Sequence, residues 1–199
     1  MPNKFYAIKN GRKTGIVTSW KECEENTKNF PNAEFKSFKD VESAKNYLDD
    51  TKSVNGLVIP EHSYSFVDGS FNAKTNTYGC GGFLIDNNKQ KHIITASGND
   101  IELAKQRNIA GEMQGALRAV NMAKKLGMKE LTIIYDYIGI EAWVTEEFKA
   151  KNLYTKKYRD FMQDAQKTMN IKFIKVKGHT GIEGNEEADL LAKNAVGIK

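Results

Sequence analysis

The chain has 199 residues, 40% of them apolar, which is enough for one large domain or two small ones with hydrophobic cores. Its formal net charge of +5 permits a nucleic-acid partner without requiring one. Cys23 and Cys80 lack the spacing of a metal site, so we expect reduced thiols. The sequence has neither a signal-like apolar stretch nor one of transmembrane length, so we expect a soluble cytoplasmic protein with no membrane partner.

The first 48 residues predict a small α/β unit with three strands. The strands are predicted at residues 4–8, 16–18 and 33–38. Helices are predicted to begin after Ser19, which forms a capping box with Glu22, and after Asp40. We therefore expect a first domain at residues 1–48, a polar linker at 49–60 and a second domain at 61–199.

The second domain predicts a mixed sheet with helices packed on it. Strands are predicted at residues 64–67, 79–85, 92–96, 131–135 and 171–176. Helices are predicted at residues 108–126, 139–146, 154–169 and 184–195. The resulting order, βββαβααβα, is typical of α/β domains with one central sheet.

Four acidic residues stand at unusual places in this pattern. Asp68 and Asp136 each follow an apolar run and are predicted to end a strand, Glu112 lies in a core-facing helix, and Asp189 lies near the start of the last helix. Each acid alone has an ordinary explanation, as a turn residue, a surface charge or a partner of the helix dipole.

Together the four acids indicate a metal site. If the first and fourth strands of the second domain are neighbours, Asp68 and Asp136 meet at one edge of the sheet. Crowded carboxylates repel each other unless protons or cations intervene, and hard oxygen ligands favour Mg²⁺ or Mn²⁺. Two such ions about 4 Å apart can promote phosphodiester cleavage. His179, in a glycine-flanked loop, either shuttles protons near this site or only bonds to backbone.

Four sequence blocks resemble the motifs of type 1 ribonuclease H. They are FVDGSFN (66–72), Ala110-Gly111-Glu112, IIYDYIGIEAW (133–143) and VKGHTGIEGNEEADLLAKNA (176–195). The resemblance covers residues 62–197 and implies a five-stranded mixed sheet flanked by helices. The implied activity is endonucleolytic cleavage of the RNA strand of RNA/DNA hybrids, leaving 5′-phosphate and 3′-hydroxyl ends.

The same resemblance assigns roles to the site residues. It implies that two Mg²⁺ ions, with Mn²⁺ as a substitute, are bound by catalytic Asp68, Glu112, Asp136 and Asp189, and that His179 assists proton transfer or product release. Ser70 and Asn108 are expected to contact nucleic acid.

The chain departs from the family pattern beside these residues. Arg107-Asn108-Ile109 stands where many members have Thr-Asn-Asn, and Tyr137-Ile138 stands where Ser-Gln often follows the aspartate. The contacts to phosphate and to the 2′-hydroxyl are therefore expected to differ from those of the family. Residues 146–159 are rich in lysine but lack the tryptophan of the basic handle that some bacterial members carry.

The N-terminal segment FYAIKNGRKTGIVTSWKECEENTKNFPNAEFKSF resembles the hybrid-binding domain that precedes many type 1 ribonucleases H. The resemblance implies nucleic-acid contacts by a set of aromatic and basic residues, namely Tyr6, Arg12, Lys13, Trp20, Phe35 and Lys36. The alternative is that Trp20 and Phe35 belong to the core of this small unit.

Two other functions remain open from the sequence alone. One is a non-catalytic hybrid-binding protein, and the other is a different two-metal nuclease of the same fold, such as a junction resolvase or an integrase-like enzyme. For the favoured function we expect a monomer that binds an RNA/DNA hybrid.

Overall fold

The computed structural model describes residues 4–48, 52–54, 57–178 and 181–198. The chain divides into two compact units, Met1–Glu61 and His62–Lys199. Among the described residues no helix has the length and apolar character needed to cross a membrane.

The first unit contains a three-stranded antiparallel sheet and two helices, as predicted. Its elements are β1 (Phe5–Asn10), β2 (Gly15–Val17), α1 (Trp20–Thr27), β3 (Glu34–Phe38) and α2 (Val41–Leu48), with the strand order β2-β1-β3. The Ser19 hydroxyl accepts a hydrogen bond from the Glu22 backbone N–H at 3.2 Å, so the predicted cap starts α1. Cys23 is a fully buried free thiol, as is Cys80 in the second unit.

The segment predicted as a polar linker contains a short hairpin. Strands β4 (Lys52–Val54) and β5 (Leu57–Ile59) pair antiparallel. Asn55-Gly56 separates them in the sequence, and this pair favours two-residue hairpin turns. Three-residue strands are too short for hydrophobic alternation to reveal them, which is why the composition alone indicated a linker.

The second unit has a five-stranded mixed sheet, as predicted. Its strands are β6 (Tyr64–Asn72), β7 (Thr77–Ile85), β8 (Lys91–Gly98), β9 (Glu130–Tyr135) and β10 (Asn170–Lys175). Its helices are α3 (Ile101–Ala104), α4 (Asn108–Lys125), α5 (Gly139–Ala142), α6 (Leu153–Gln166) and α7 (Glu183–Ala195). The strand order is β10-β9-β6-β7-β8, with β6, β7 and β8 antiparallel and β9 parallel to both of its neighbours.

The prediction that Asp68 ends its strand is wrong. β6 continues to Asn72 because it pairs along its whole length with β7, and Asp68 lies opposite Gly81 in the middle of that hairpin. The parallel pairing of β6 with β9, however, stops at Phe66↔Ile134. Asp68 therefore lies just beyond the point where β6 and β9 separate.

Helices α4 and α7 pack on opposite faces of the sheet and approach it closely. A Cβ added at Gly81 would lie 1.9 Å from the Ala192 backbone nitrogen of α7. The neighbouring Cys80 points to the other face, where Gly115 of α4 packs against its Cβ. The missing side chains of Gly81 on β7 and of Gly115 on α4 thus let α7 and α4 lie close to the sheet.

Candidate active site

Three different elements bring three of the four predicted carboxylates together. Asp68 comes from β6, Glu112 from the second turn of α4, and Asp136 directly follows β9. One carboxylate oxygen of each residue lies within 4.8 Å of the others. The condition set by the sequence, that the first and fourth strands of this domain are neighbours, is met by the β6–β9 pairing.

Glu112 is the most deeply buried member of this group, with only 2% of its surface exposed. The nearby Tyr137 backbone N–H favours the ionised form of its carboxyl, and Oε2 has no hydrogen-bond partner within the described part of the chain. Burial, together with the charges of Asp136 and Asp68, raises the pKa of Glu112 to about 9. Without a cation this carboxyl is therefore protonated at neutral pH.

Asp68 is affected in the same way. Burial and then the neighbouring Asp136 raise its pKa to about 7, although its Oδ1 accepts a 2.6 Å hydrogen bond from the Gly69 N–H. Glu112 has a buried oxygen without a partner, and both Glu112 and Asp68 have raised pKa values. Both features suit the binding of a divalent cation, which would supply the missing positive charge. Oxygen-only donors of this kind match Mg²⁺ or Mn²⁺.

The fourth predicted carboxylate, Asp189, lies beside the group rather than within it. It stands on α7, and Lys193 one turn later forms an ion pair with its Oδ2 at 2.6 Å. Asp189 remains close enough to contribute to the raised pKa of Asp68. The predicted proton-transfer residue, His179, lies outside the described residues.

Asp189 has two polar neighbours on α7 that were not predicted from the sequence. Lys193 could have been found from the i,i+4 spacing of opposite charges on one helix. Asn185 stands one turn before Asp189, is 3% exposed, and has an Oδ1 with no partner among the residues that the structure describes. A buried amide on the same helical face as Asp189 is a polar group available to a ligand.

The predicted nucleic-acid contacts of the second unit differ in exposure. Asn108 is exposed as the first residue of α4, whereas Ser70 is buried two residues beyond Asp68 on the same face of β6. Tyr137 packs its ring 5.8 Å from that of Trp143, and the next residue, Ile138, is 37% exposed. The departure at Tyr137 thus places an aromatic side chain near Glu112, and the departure at Ile138 places an exposed apolar side chain next to it in the sequence.

The first unit has an exposed cluster of three aromatic side chains. The ring of Trp20 lies 5.6 Å from that of Tyr6 and 5.8 Å from that of Phe35. Trp20 is 50% exposed and Phe35 is 38% exposed. The alternative in which these two residues form the core is therefore wrong, because Ala7, Ile8 and other small side chains fill it.

The predicted basic contacts of the first unit have different surroundings. The Arg12 guanidinium donates to the carbonyls of Glu25 and Lys28 at 3.0 and 2.8 Å, so it holds the end of α1. Lys13 is exposed. Lys36 is exposed as well, but strand alternation directs it to the face opposite that of Phe35.

Comparison with known proteins gives matches along nearly the whole chain. The family model described as Ribonuclease H1 N-terminal domain matches residues 4–48, and the model described as RNase H matches residues 60–197. Ribonuclease H1 of Mus musculus is 24% identical, with 95% of this chain and 88% of the mouse protein covered. Ribonuclease H of Nitrosococcus oceani is 29% identical, with 66% of this chain and 91% of that protein covered.

Solved structures share the fold of the second unit. RNase H1 from Halobacterium salinarum superimposes with a TM-score of 0.55 at 16% identity, covering 67% of this chain and 96% of that chain. LC11-RNase H1 in complex with an RNA/DNA hybrid gives 0.52 at 15% identity, covering 67% and 98%. The RNase H model alone spans more than half of the sequence. The chain therefore belongs to the ribonuclease H family and is a ribonuclease H.

Proposed function

We propose that this ribonuclease H is an endonuclease that hydrolyses the RNA strand of RNA/DNA hybrids with two divalent metal ions. Mg²⁺ is the expected ion, and Mn²⁺ is a substitute. The observation that carries the proposal is the group of three carboxylates within 4.8 Å, with the unpartnered Oε2 of buried Glu112 among them. Such crowding costs folding free energy and is explained if the group binds cations.

The metal-binding residues of the proposal are Asp68, Glu112, Asp136 and Asp189. When bound, the ions would lower the pKa of a water molecule and stabilise the charge on the leaving oxygen. The Tyr137 N–H favours the ionised form of Glu112, and the Gly69 N–H donates a hydrogen bond to Asp68. Lys193 holds Asp189 at the margin of the group. His179 would assist proton transfer or product release.

The products follow from which phosphodiester bond is broken. The water oxygen forms a new bond to phosphorus while the bond from phosphorus to the 3′-oxygen breaks. The 3′-oxygen takes up a proton, so the products carry a 3′-hydroxyl and a 5′-phosphate. The carboxylates position the reacting groups, and no covalent intermediate with the chain is involved.

The first unit is proposed to bind the hybrid. Its clustered rings, Tyr6, Trp20 and Phe35, can pack on sugars, and Lys13 can neutralise phosphates. Lys36, on the opposite face of β3 from Phe35, would contact a different part of the hybrid. In a hybrid only one strand has 2′-hydroxyls, in a wide and shallow minor groove. The solved structure of LC11-RNase H1 is a complex with an RNA/DNA hybrid, which supports the same substrate for this family member.

The test uses end-labelled RNA paired to DNA, paired to RNA, or single-stranded, incubated with Mg²⁺ and the full chain. The control is Asp136→Asn, which keeps the shape of the side chain and removes its charge. Cleavage of the hybrid alone, abolished in the control and by EDTA, is the expected result. Products that can be ligated through a 5′-phosphate and extended from a 3′-hydroxyl would support the end chemistry.

Other outcomes correspond to the other candidate functions. Cleavage of branched DNA in preference to the hybrid would favour a resolvase-like activity. Hybrid binding without cleavage in Mg²⁺ or Mn²⁺ would favour a binding protein. The same preparation, passed through gel filtration, tests the expected monomer.

A further inference from the structure

The segment after β9 controls two of the three clustered carboxylates. It begins with Asp136 itself, and the backbone N–H of the next residue, Tyr137, lies close enough to Glu112 to favour the ionised form of that carboxyl. The relative positions of Asp136 and Glu112 therefore depend on the path of the backbone between β9 and α5. A feature that fixes this path also fixes the geometry of the site.

A side-chain hydrogen bond spans this segment from one end to the other. Tyr135, the last residue of β9, is fully buried, and its hydroxyl donates to Oε2 of Glu141 on α5 at 2.5 Å. Asp136 and Tyr137 lie between the two bonded residues in the sequence. The bond thus closes a short loop around the two positions that the site uses.

Helix α6 supports the same segment from outside the loop. The hydroxyl of fully buried Tyr158 donates to the Ile140 carbonyl of α5 at 2.9 Å. The Tyr158 ring also contacts that of Trp143 at 6.2 Å, and Trp143 in turn contacts Tyr137 at 5.8 Å. Because α5 is held by α6, Glu141 is a fixed point to which Tyr135 can be tied.

We propose that Tyr135 and Glu141 are positioning residues for the metal-binding carboxylates. Their hydrogen bond holds Asp136 and the Tyr137 N–H in the arrangement that a divalent cation requires. This inference rests on the proposed function. The competing explanation is that the bond only stabilises the fold, and the two explanations differ in what happens to metal affinity.

Each end of the hydrogen bond can be altered separately in the full-length protein. Tyr135→Phe keeps the buried ring and removes the donor. Glu141→Ala removes the acceptor from a partly exposed position, whereas Glu141→Gln keeps an acceptor oxygen. Glu147→Gln is the matched control, because the charge of Glu147 acts on Tyr135 without a hydrogen bond between them.

The main measurement is the affinity for Mn²⁺ by titration calorimetry without hybrid, at a temperature far below unfolding. Loss of groups that orient metal ligands weakens metal binding by about tenfold in other proteins, and we expect that change for Tyr135→Phe and for Glu141→Ala. The double variant should be no weaker than either single variant, since both remove one interaction. Glu141→Gln and Glu147→Gln should bind Mn²⁺ like the wild type.

Two further readouts separate positioning from stabilisation. The Mg²⁺ concentration for half-maximal single-turnover cleavage should rise by a similar factor, while hybrid affinity in EDTA stays unchanged. A lower Tm with unchanged Mn²⁺ affinity in Tyr135→Phe would overturn the inference. If Tyr135→Phe fails to fold, the comparison of Glu141→Ala with Glu141→Gln decides, and equal Mn²⁺ affinity in those two overturns it.

Failure of the proposed function has a different signature. If the wild-type chain neither binds Mn²⁺ nor cleaves the hybrid, the proposed function is wrong and this inference is wrong with it. If the wild type does both and the variants behave identically, only the positioning role is wrong.

Discussion

Replacing Glu112 by glutamine should stabilise the metal-free protein, and this gain should depend on pH. In the unfolded chain Glu112 ionises near its ordinary pKa of 4.5, whereas in the folded protein it keeps its proton up to about pH 9. Between these values the folded state binds more protons than the unfolded state. The free energy of unfolding therefore falls as the pH rises through this window.

The size of the effect follows from the difference between pH and the ordinary pKa. At pH 7 the 2.5-unit difference from 4.5, at about 1.4 kcal/mol per unit, is a loss of roughly 3 kcal/mol for the wild type relative to acid pH. Glutamine does not ionise, so the Glu112→Gln variant should not lose this free energy of unfolding as the pH rises. Before the cost of burying the glutamine amide is subtracted, the gain corresponds to roughly 10 °C in Tm for a protein of this size. The amide of the introduced glutamine has an N–H without a hydrogen-bond partner, which lowers the free energy of unfolding of the variant by about 1–3 kcal/mol at every pH.

The assay is urea unfolding in EDTA at pH 4.5, 7 and 8.5, followed by the fluorescence of buried Trp143. A Trp20→Phe background removes the signal of the first unit, since the chain has two tryptophans. Glu147→Gln, which neutralises an exposed carboxylate, should follow the wild-type pH profile. Parallel pH profiles for Glu112→Gln and the wild type would refute the idea that crowded acids destabilise the metal-free site. Saturating Mg²⁺ should favour the wild type instead.

Three further predictions concern other parts of the chain. Gly81→Ala should lower the free energy of unfolding in urea by about 3 kcal/mol, because the added Cβ would lie 1.9 Å from the backbone of α7. Gly115→Ala, whose added Cβ has its nearest contact at 3.2 Å, should lower it by less, and equal losses of free energy would contradict the packing argument. Trp20→Ala should weaken hybrid binding in EDTA about tenfold, as measured by fluorescence anisotropy. Its Tm should change little because the side chain is half-exposed, and an unchanged Kd would exclude the aromatic cluster from the binding surface. Deleting residues 1–50 should raise the hybrid Kd but leave the single-turnover rate at saturating enzyme unchanged, and a slower rate would mean that the first unit takes part in the chemistry.

The sequence could predict the fold because hydrophobic periodicity and capping signals agreed with each other. The capping box at Ser19 and the apolar run before Asp136 are local features, and both led to correct elements. The end of β6 could not be predicted in this way. Asp68 continues a strand because of its pairing with β7, and pairing partners are long-range properties.

The site was predictable in composition but less so in geometry. Charged residues at strand ends and inside a core-facing helix identified Asp68, Glu112 and Asp136, which the structure brings together. Asp189 lies outside this group and forms an ion pair with Lys193, and the strand and helix pattern does not show which of the four acids lie close together. The bond between Tyr135 and Glu141 is also beyond sequence reasoning, since a tyrosine ending an apolar strand indicates only burial.

The separation of β6 from β9 before the acidic residues bears on the order in which the enzyme is assembled. The last residues paired between these two strands, Phe66 and Ile134, directly precede the acidic segments, so the hydrogen bonds between β6 and β9 do not involve Asp68 or Asp136. A cation bound at the proposed site would add to a sheet whose strands are already paired, unlike the zinc of a zinc finger, which must be present for folding. If the proposed ions bind there, we expect the protein to gain and lose them while its sheet stays intact.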